Sequence, residues 1–205
     1  MYIEPGVIPQ NWEDNRGEHR KRYCLICKCT KPDRSHHCPI CNKCILNMDF
    51  HCLLVNNCVG FYNRKYFIQS LLFASFLTIF IDIIEFYLGF CGILRLGKRR
   101  ETTFNAGFKV YFVIICYLVN FIASIYATKT LIYNIKLVLI NSNHIESLYP
   151  EEEALNKKFN LTRLENWEQV FGKNKLTWFC PIPTKKGRPD GDGITWKTND
   201  RIHNE

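Results

Sequence analysis

The sequence predicts a small, loop- and hairpin-rich cysteine-rich domain mounted on transmembrane α-helices, two spans in this chain, with a short cytosolic C-terminal tail. Three observations carry that expectation. Seven of the eleven cysteines fall between Cys24 and Cys52. Residues 66–140 are dominated by apolar and aromatic side chains, whereas residues 1–64 and the stretch after 140 are polar. The first 23 residues hold Pro5, Gly6 and Pro9 and no apolar run of the kind a secretory leader needs.

Taken in order, residues 1–22 read as a cytosolic juxtamembrane segment and 23–65 as the cysteine-rich domain. Without a route to an oxidising compartment, disulfides are disfavoured and metal ligation is preferred. The spacing supports this directly. Cys24, Cys27, His37 and Cys44 read C-x2-C-x9-H-x6-C, and Cys38, Cys41, His51 and Cys58 repeat that spacing fourteen residues later. Zinc takes four tetrahedral N and S ligands, and a C-x2-C knuckle is short enough to put two sulfurs on one ion. Because the second set opens before the first closes, the two sites must interleave. A segment this poor in apolar residues would draw much of its folding energy from the metals.

The same register isolates Cys52. It is equivalent to Cys24 and Cys38, but its knuckle partner would be at position 55, which is Val55. A thiol held beside two metal sites and used by neither is a nucleophile candidate, with a spare structural cysteine as the alternative. Cys29 belongs to no set, Cys91 and Cys116 sit in apolar runs as small hydrophobes, and Cys180 is either a core residue or an acylation target.

Residues 66–94 form the first expected span, interrupted by Gln69, Asp82 and Glu85. The two carboxylates share a side of the helix and are expected near its far end, the alternative being a protein-facing or watery position. Residues 95–109 form a connecting loop, and 110–140 a second span whose last turns, with Lys129 and Lys136, extend into cytosolic headgroups. The loop carries Arg95, Lys98, Arg99, Arg100 and Lys109, which charge bias alone would place in the cytosol. Thiolate ligation needs a reducing compartment, so the zinc domain takes the cytosol and the loop the lumen. Residues 141–205 are the cytosolic tail. The formal charge of +8 suits an anionic leaflet or a phosphate-bearing ligand such as coenzyme A, or simply a solvated surface. Nucleic acid is not expected, since the cations form no stripe with aromatic platforms.

The run CLICKCTKPDRSHHCPICNKCILNMDFHCLLVNNCVGFYNRKYF resembles the cysteine-rich domain of the DHHC protein S-acyltransferases. Asn143-His144-Ile145-Glu146 stands where that family has Thr-Thr-x-Glu, and only the Glu matches. Asn166-Trp167-Glu168-Gln169-Val170-Phe171-Gly172 is similar to its C-terminal motif, whose Asn helps dock the tail on the membrane helices. The resemblance implies two Zn2+ on the same interleaved ligand sets and a palmitoyltransferase reaction with acyl-CoA as co-substrate. Cys52 would be the nucleophile and Asp49 its polar neighbour. The implied partners are membrane lipids, fatty acyl-CoA, substrate proteins with acceptor cysteines and an accessory subunit. The implied setting is a multi-pass protein of the endoplasmic reticulum, Golgi or plasma membrane.

Three departures accompany the match. Phe50 replaces the first motif histidine, taken to be the proton acceptor for the cysteine, and a general base typically contributes about 10²–10⁴ in rate. His36, one repeat earlier, is expected to be a surface histidine rather than a substitute. Leu53-Leu54 replaces Pro-Trp. Glu4-Pro5-Gly6 resembles the segment after the family's second helix. Either two upstream spans are missing, or the protein is reduced and borrows helices from a partner. The rival function is a non-catalytic zinc adaptor or regulatory subunit at the membrane. A RING-like module is disfavoured, because these ligands alternate three, two, one, two along the chain.

Overall fold

A computed structural model describes residues 3–10, 12–13, 22–96, 103–149 and 157–199. Six three-residue strands pair as three antiparallel hairpins: β1 (Arg22–Cys24) with β2 (Cys29–Lys31), β3 (His36–Cys38) with β4 (Lys43–Ile45), and β5 (Phe50–Cys52) with β6 (Asn57–Val59). The register repeats with the sequence: Cys24 faces Cys29, Cys38 faces Lys43 and Cys52 faces Asn57. Each turn closes through a left-handed residue at the same place, Lys28, Asn42 and Asn56, with φ of 53°, 51° and 45°. Asparagine tolerates that conformation, while Lys28 carries the usual cost for a side chain with a Cβ, about 1 kcal/mol. Hairpins this short are not stable alone, so ligation and packing must hold them.

Among the described residues the helices α1 (Arg64–Leu96), α2 (Thr103–Leu139), α3 (His144–Leu148) and α4 (Arg163–Phe171) follow. The chain divides into two compact units. The first comprises residues 1–69 and 135–205, with the hairpins, the first turns of α1, the end of α2 and the tail. Its apolar centre is Cys38, Ile45, Met48 and Cys58, with Cys41 and Ile145 against it. The N-terminal segment packs here too: Val7 bridges Ile45, Gly6 O accepts from Leu46 N–H at 3.0 Å and Pro5 O from Tyr62 N–H at 3.1 Å. Gly60 allows that approach. A Cβ there would meet Ile45 Cγ2 at 2.7 Å and the carbonyl oxygens of Leu46 and Pro5 at 2.9 Å.

The tail buries Phe159, Val170 and Phe171 and is fastened further by polar side chains. Asn166, fully buried, donates to Leu139 O (2.9 Å) and Asn160 Oδ1 (2.7 Å) and accepts from Leu161 N–H. It thus holds α4 to the end of α2, the docking role expected of it. Gln69 donates to the carbonyls of Trp178 and Cys180, and Lys65 to that of Gly187. Cys180 is half-buried. Gly172 ends α4 with φ 77°, and a Cβ there would lie 2.5 Å from Arg188 O.

The second unit, residues 70–134, holds the rest of α1 and α2. Both helices are long and apolar enough to cross a membrane, over Arg64–Gly92 and Gly107–Leu139. Large apolar side chains such as Phe76, Phe80, Phe86, Phe112, Val119 and Ile122 are exposed, which suits lipid rather than water. The hydroxyls of Ser75, Thr78 and Thr130 donate to carbonyls of the preceding turn, as an apolar solvent requires. Asp82 corrects the expectation of a far-end position. Fourteen helical residues follow it in α1, and its Oδ1 accepts from Asn120 Nδ2 of α2 at 2.6 Å. α2 opens at Thr103, inside the stretch expected as a loop, so Lys109 is helical; Lys98, Arg99 and Arg100 lie outside the described residues.

Candidate functional site

The hairpin repeat builds two metal-ligand sets. In each, one hairpin supplies the knuckle and the next supplies a directly paired His and Cys. Cys24 and Cys27 come from the first turn, and His37 faces Cys44 across β3–β4. Cys38 and Cys41 come from the second, and His51 faces Cys58 across β5–β6. All ligand atoms of a set lie within 4.8 Å of one another. In the first, His37 Nδ1 is 3.6, 3.2 and 3.9 Å from the sulfurs of Cys24, Cys27 and Cys44. In the second, His51 Nδ1 is 3.6, 3.4 and 3.6 Å from those of Cys38, Cys41 and Cys58. Tetrahedral zinc with standard bond lengths requires N···S edges of about 3.6 Å. Either set can therefore hold a zinc ion.

The electrostatics agree. Burial, then the neighbouring sulfurs, pushes the Cys44 thiol well up, and the same causes raise Cys58. Three thiols closing on one point resist joint ionisation until a divalent cation sits among them. In the knuckles, the Cys27 and Cys41 N–H groups donate to the sulfurs of Cys24 and Cys38 at 3.4 Å, which favours thiolate there.

Cys52 ends β5 at the position that Cys24 and Cys38 occupy in the other hairpins, and it belongs to neither ligand set. The residue is buried at 8% exposure, yet Leu53, Leu54 and Val55 immediately after it are exposed at 78%, 94% and 59%. A covered thiol therefore adjoins an open apolar tip.

Asp49 is completely buried. Its Oδ1 accepts from the backbone N–H of His144 at 2.5 Å, and its Oδ2 lies 3.4 Å from Arg64 Nε. That second contact is a charge pair without hydrogen-bond alignment, since neither atom has a hydrogen-bond partner. Arg64 is held in turn by Ser142 O at 2.7 Å. Phe50 packs edge-on against Phe67 (5.2 Å between centroids) and the His144 ring (6.0 Å). His36 departs from the surface position expected of it. Its Nε2 is buried without a partner, and burial, then Arg22 and Lys31, push its pKa down to about 4.

Sequence reasoning missed the partners from α3. Glu146, the one match in its motif, receives two hydrogen bonds from Arg34, at 2.7 and 2.9 Å, and caps Asn143 N–H at 3.0 Å. Arg34 also donates to Asn141 Oδ1 and O and stacks over Trp196 at 4.4 Å. Glu146 and Arg34 each fall where the family has them; what the sequence did not show is that they meet, 112 residues apart.

A family model for DHHC palmitoyltransferases matches residues 17–150. The chain is 33% identical to Probable protein S-acyltransferase 13 of Arabidopsis thaliana over its whole length, covering 74% of that protein. It is 35% identical to Palmitoyltransferase ZDHHC20 of Homo sapiens over 86% of the chain, and 33% identical to the Mus musculus protein of that name over 81%. The chain spans about half the length of those two mammalian relatives, 46% and 47%. Together with two interleaved Cys3His sets and two apolar helices on one chain, these matches make it a member of the DHHC palmitoyltransferase family.

Proposed function

We propose that this chain is a membrane-embedded protein S-palmitoyltransferase that carries an acyl group from acyl-CoA to cysteines of substrate proteins through an acyl-Cys52 intermediate. The observation that carries the reading is the third hairpin. It repeats the knuckle geometry but leaves Cys52 outside both ligand sets, buried beside an exposed apolar tip. Cys24, Cys27, His37 and Cys44 would hold one Zn2+, and Cys38, Cys41, His51 and Cys58 the other, fixing the hairpin from which Cys52 projects. Bound zinc supplies rigidity here, with all four positions taken by protein.

The reaction is two thioester exchanges. The Cys52 thiolate attacks the acyl-CoA carbonyl, the new C–S bond forms and the bond to coenzyme A breaks, coenzyme A leaving as the thiolate. A substrate cysteine then attacks the acyl-Cys52 thioester and Cys52 leaves. Asp49, held by Arg64 and the His144 N–H, is a positioning residue that fixes the start of β5. The zinc domain and residues 141–205 face the cytosol, where thiols stay reduced, and the connection between the spans faces the lumen. Membrane lipids surround residues 66–94 and 110–140.

Purified full chain in detergent, incubated with alkyne-tagged palmitoyl-CoA, tests the reading. Hydroxylamine-sensitive label lost in Cys52→Ser is expected. Label that persists in Cys52→Ser removes Cys52 from its role. No label on either the native chain or Phe50→His, with two zinc ions retained, would favour a non-catalytic zinc adaptor, the reading that Phe50 itself recommends.

A further inference from the structure

Cys52 lacks a proton acceptor in its own strand, because Phe50 cannot take one. Side chains two apart on a strand share a face, separated by roughly 7 Å of rise, so Phe50 and Cys52 look out the same way. Two rings pack against Phe50, that of Phe67 and the imidazole of His144, the latter 6.0 Å between centroids and 68° between planes. Its backbone is latched to the same strand, since the His144 N–H donates to Asp49, the residue just before Phe50. Upstream, Asn143 is fully buried, capped reciprocally with Glu146 and bonded to Asn47 at 3.3 Å. The ring therefore hangs from a fixed backbone beside an apolar wall.

Of the six histidines, His37 and His51 belong to the ligand sets. His36 faces Arg22, Lys31 and Glu146, and His19 and His203 lie outside the described residues. Asp49 is committed to Arg64 and α3.

We propose that His144 is the proton acceptor for the Cys52 thiol, serving from α3 the role that a side chain at position 50 cannot. This rests on the acyltransferase reading above. In the first exchange the Sγ–H proton passes to the imidazole, directly or across one water, as sulfur attacks the thioester carbonyl. When the carbonyl–sulfur bond to coenzyme A breaks, the imidazolium returns that proton to the departing thiolate. No oxidant or further reactant is required. The second exchange runs the same path, with the substrate thiol giving its proton and Cys52 recovering one.

The test is single-turnover labelling of the full chain in detergent by alkyne-palmitoyl-CoA, with zinc content measured on every variant. His144→Gln is expected to slow labelling by about 100-fold, while the backbone bond to Asp49 survives the side-chain change. Two rescues separate a proton acceptor from a packing residue. Free imidazole should restore labelling of His144→Ala, and Phe50→His should restore labelling in the His144→Gln background. Labelling of His144→Gln at the native rate overturns the proposal, as does failure of both rescues at full zinc content. If Phe50→His takes label while the native chain takes none, His144 is not the acceptor and the acyltransferase reading stands. If neither takes label, both fall.

Discussion

The Arg34–Glu146 pair should be strongly coupled, and a double-mutant cycle can measure how strongly. Both side chains are almost fully covered, at 1% and 2% exposure. Arg34 makes four hydrogen bonds, two to Glu146 and two to Asn141. Glu146→Ala removes half of them and strands a buried guanidinium, and removing one partner of a buried pair costs about 3–5 kcal/mol. Arg34→Met leaves the Glu146 carboxylate with the Asn143 and own-helix contacts and should cost a similar amount. The double variant, Arg34→Met with Glu146→Leu, strands no charge and should be much less destabilised than the sum, giving a coupling of about 2–3 kcal/mol. Trp196, which stacks on Arg34, supplies the fluorescence signal for urea titration in micelles. A loss of 3 kcal/mol should also lower Tm by about 6–12 °C for a chain of this size. Losses that add to within about 0.5 kcal/mol would refute the reasoning, because they would show that neither charge depends on the other.

Gly60→Ala should destabilise the first unit by about 1–3 kcal/mol, since its Cβ would overlap Ile45 and two carbonyl oxygens; unchanged urea stability would show that the N-terminal segment yields freely. Asn120→Leu should weaken helix–helix association in the second unit by about 0.6–2 kcal/mol, readable as a lower Tm in detergent, by losing the bonds to Asp82 and the Thr78 carbonyl. Asp190 gives a pH test. Burial opposes its charge, but hydrogen bonds from Lys197 and Lys173 outweigh that and hold the carboxyl below its usual range. A depressed folded-state pKa contributes stability that is present above the unfolded value of about 3.9 and lost as pH falls through the folded one. With the lysines largely exposed the contribution is below about 1 kcal/mol, and Asp190→Asn should remove it above pH 5 while mattering little near pH 2.

Much of the candidate site was legible because its information is local. The fourteen-residue repeat of C-x2-C and His/Cys reappears as three hairpins of one register, down to the left-handed turn residues Lys28, Asn42 and Asn56. The orphan position of Cys52 followed from the same arithmetic. Less legible was everything joined across long separations. His36 looked like a surface residue because nothing near it in sequence covers it; its charged neighbours Arg22, Lys31 and Glu146 come from other elements. Asp82 suggested a helix end because an unpaired carboxylate is costly in lipid, and its partner Asn120 lies 38 residues on.

The sequence by itself determined the ligand sets, the two apolar helices and the family, because ligand spacing and hydrophobic run length are short-range properties that ligation and lipid solvation read directly. Only the tertiary structure decided which polar groups are buried together: Arg34 with Glu146, Asp49 with Arg64 and α3, Gln69 with the carbonyls of Trp178 and Cys180. Buried polar groups must find partners wherever the fold brings them, and that choice has no period along the chain. It also set His144 against Phe50, where the catalytic question for this protein lies.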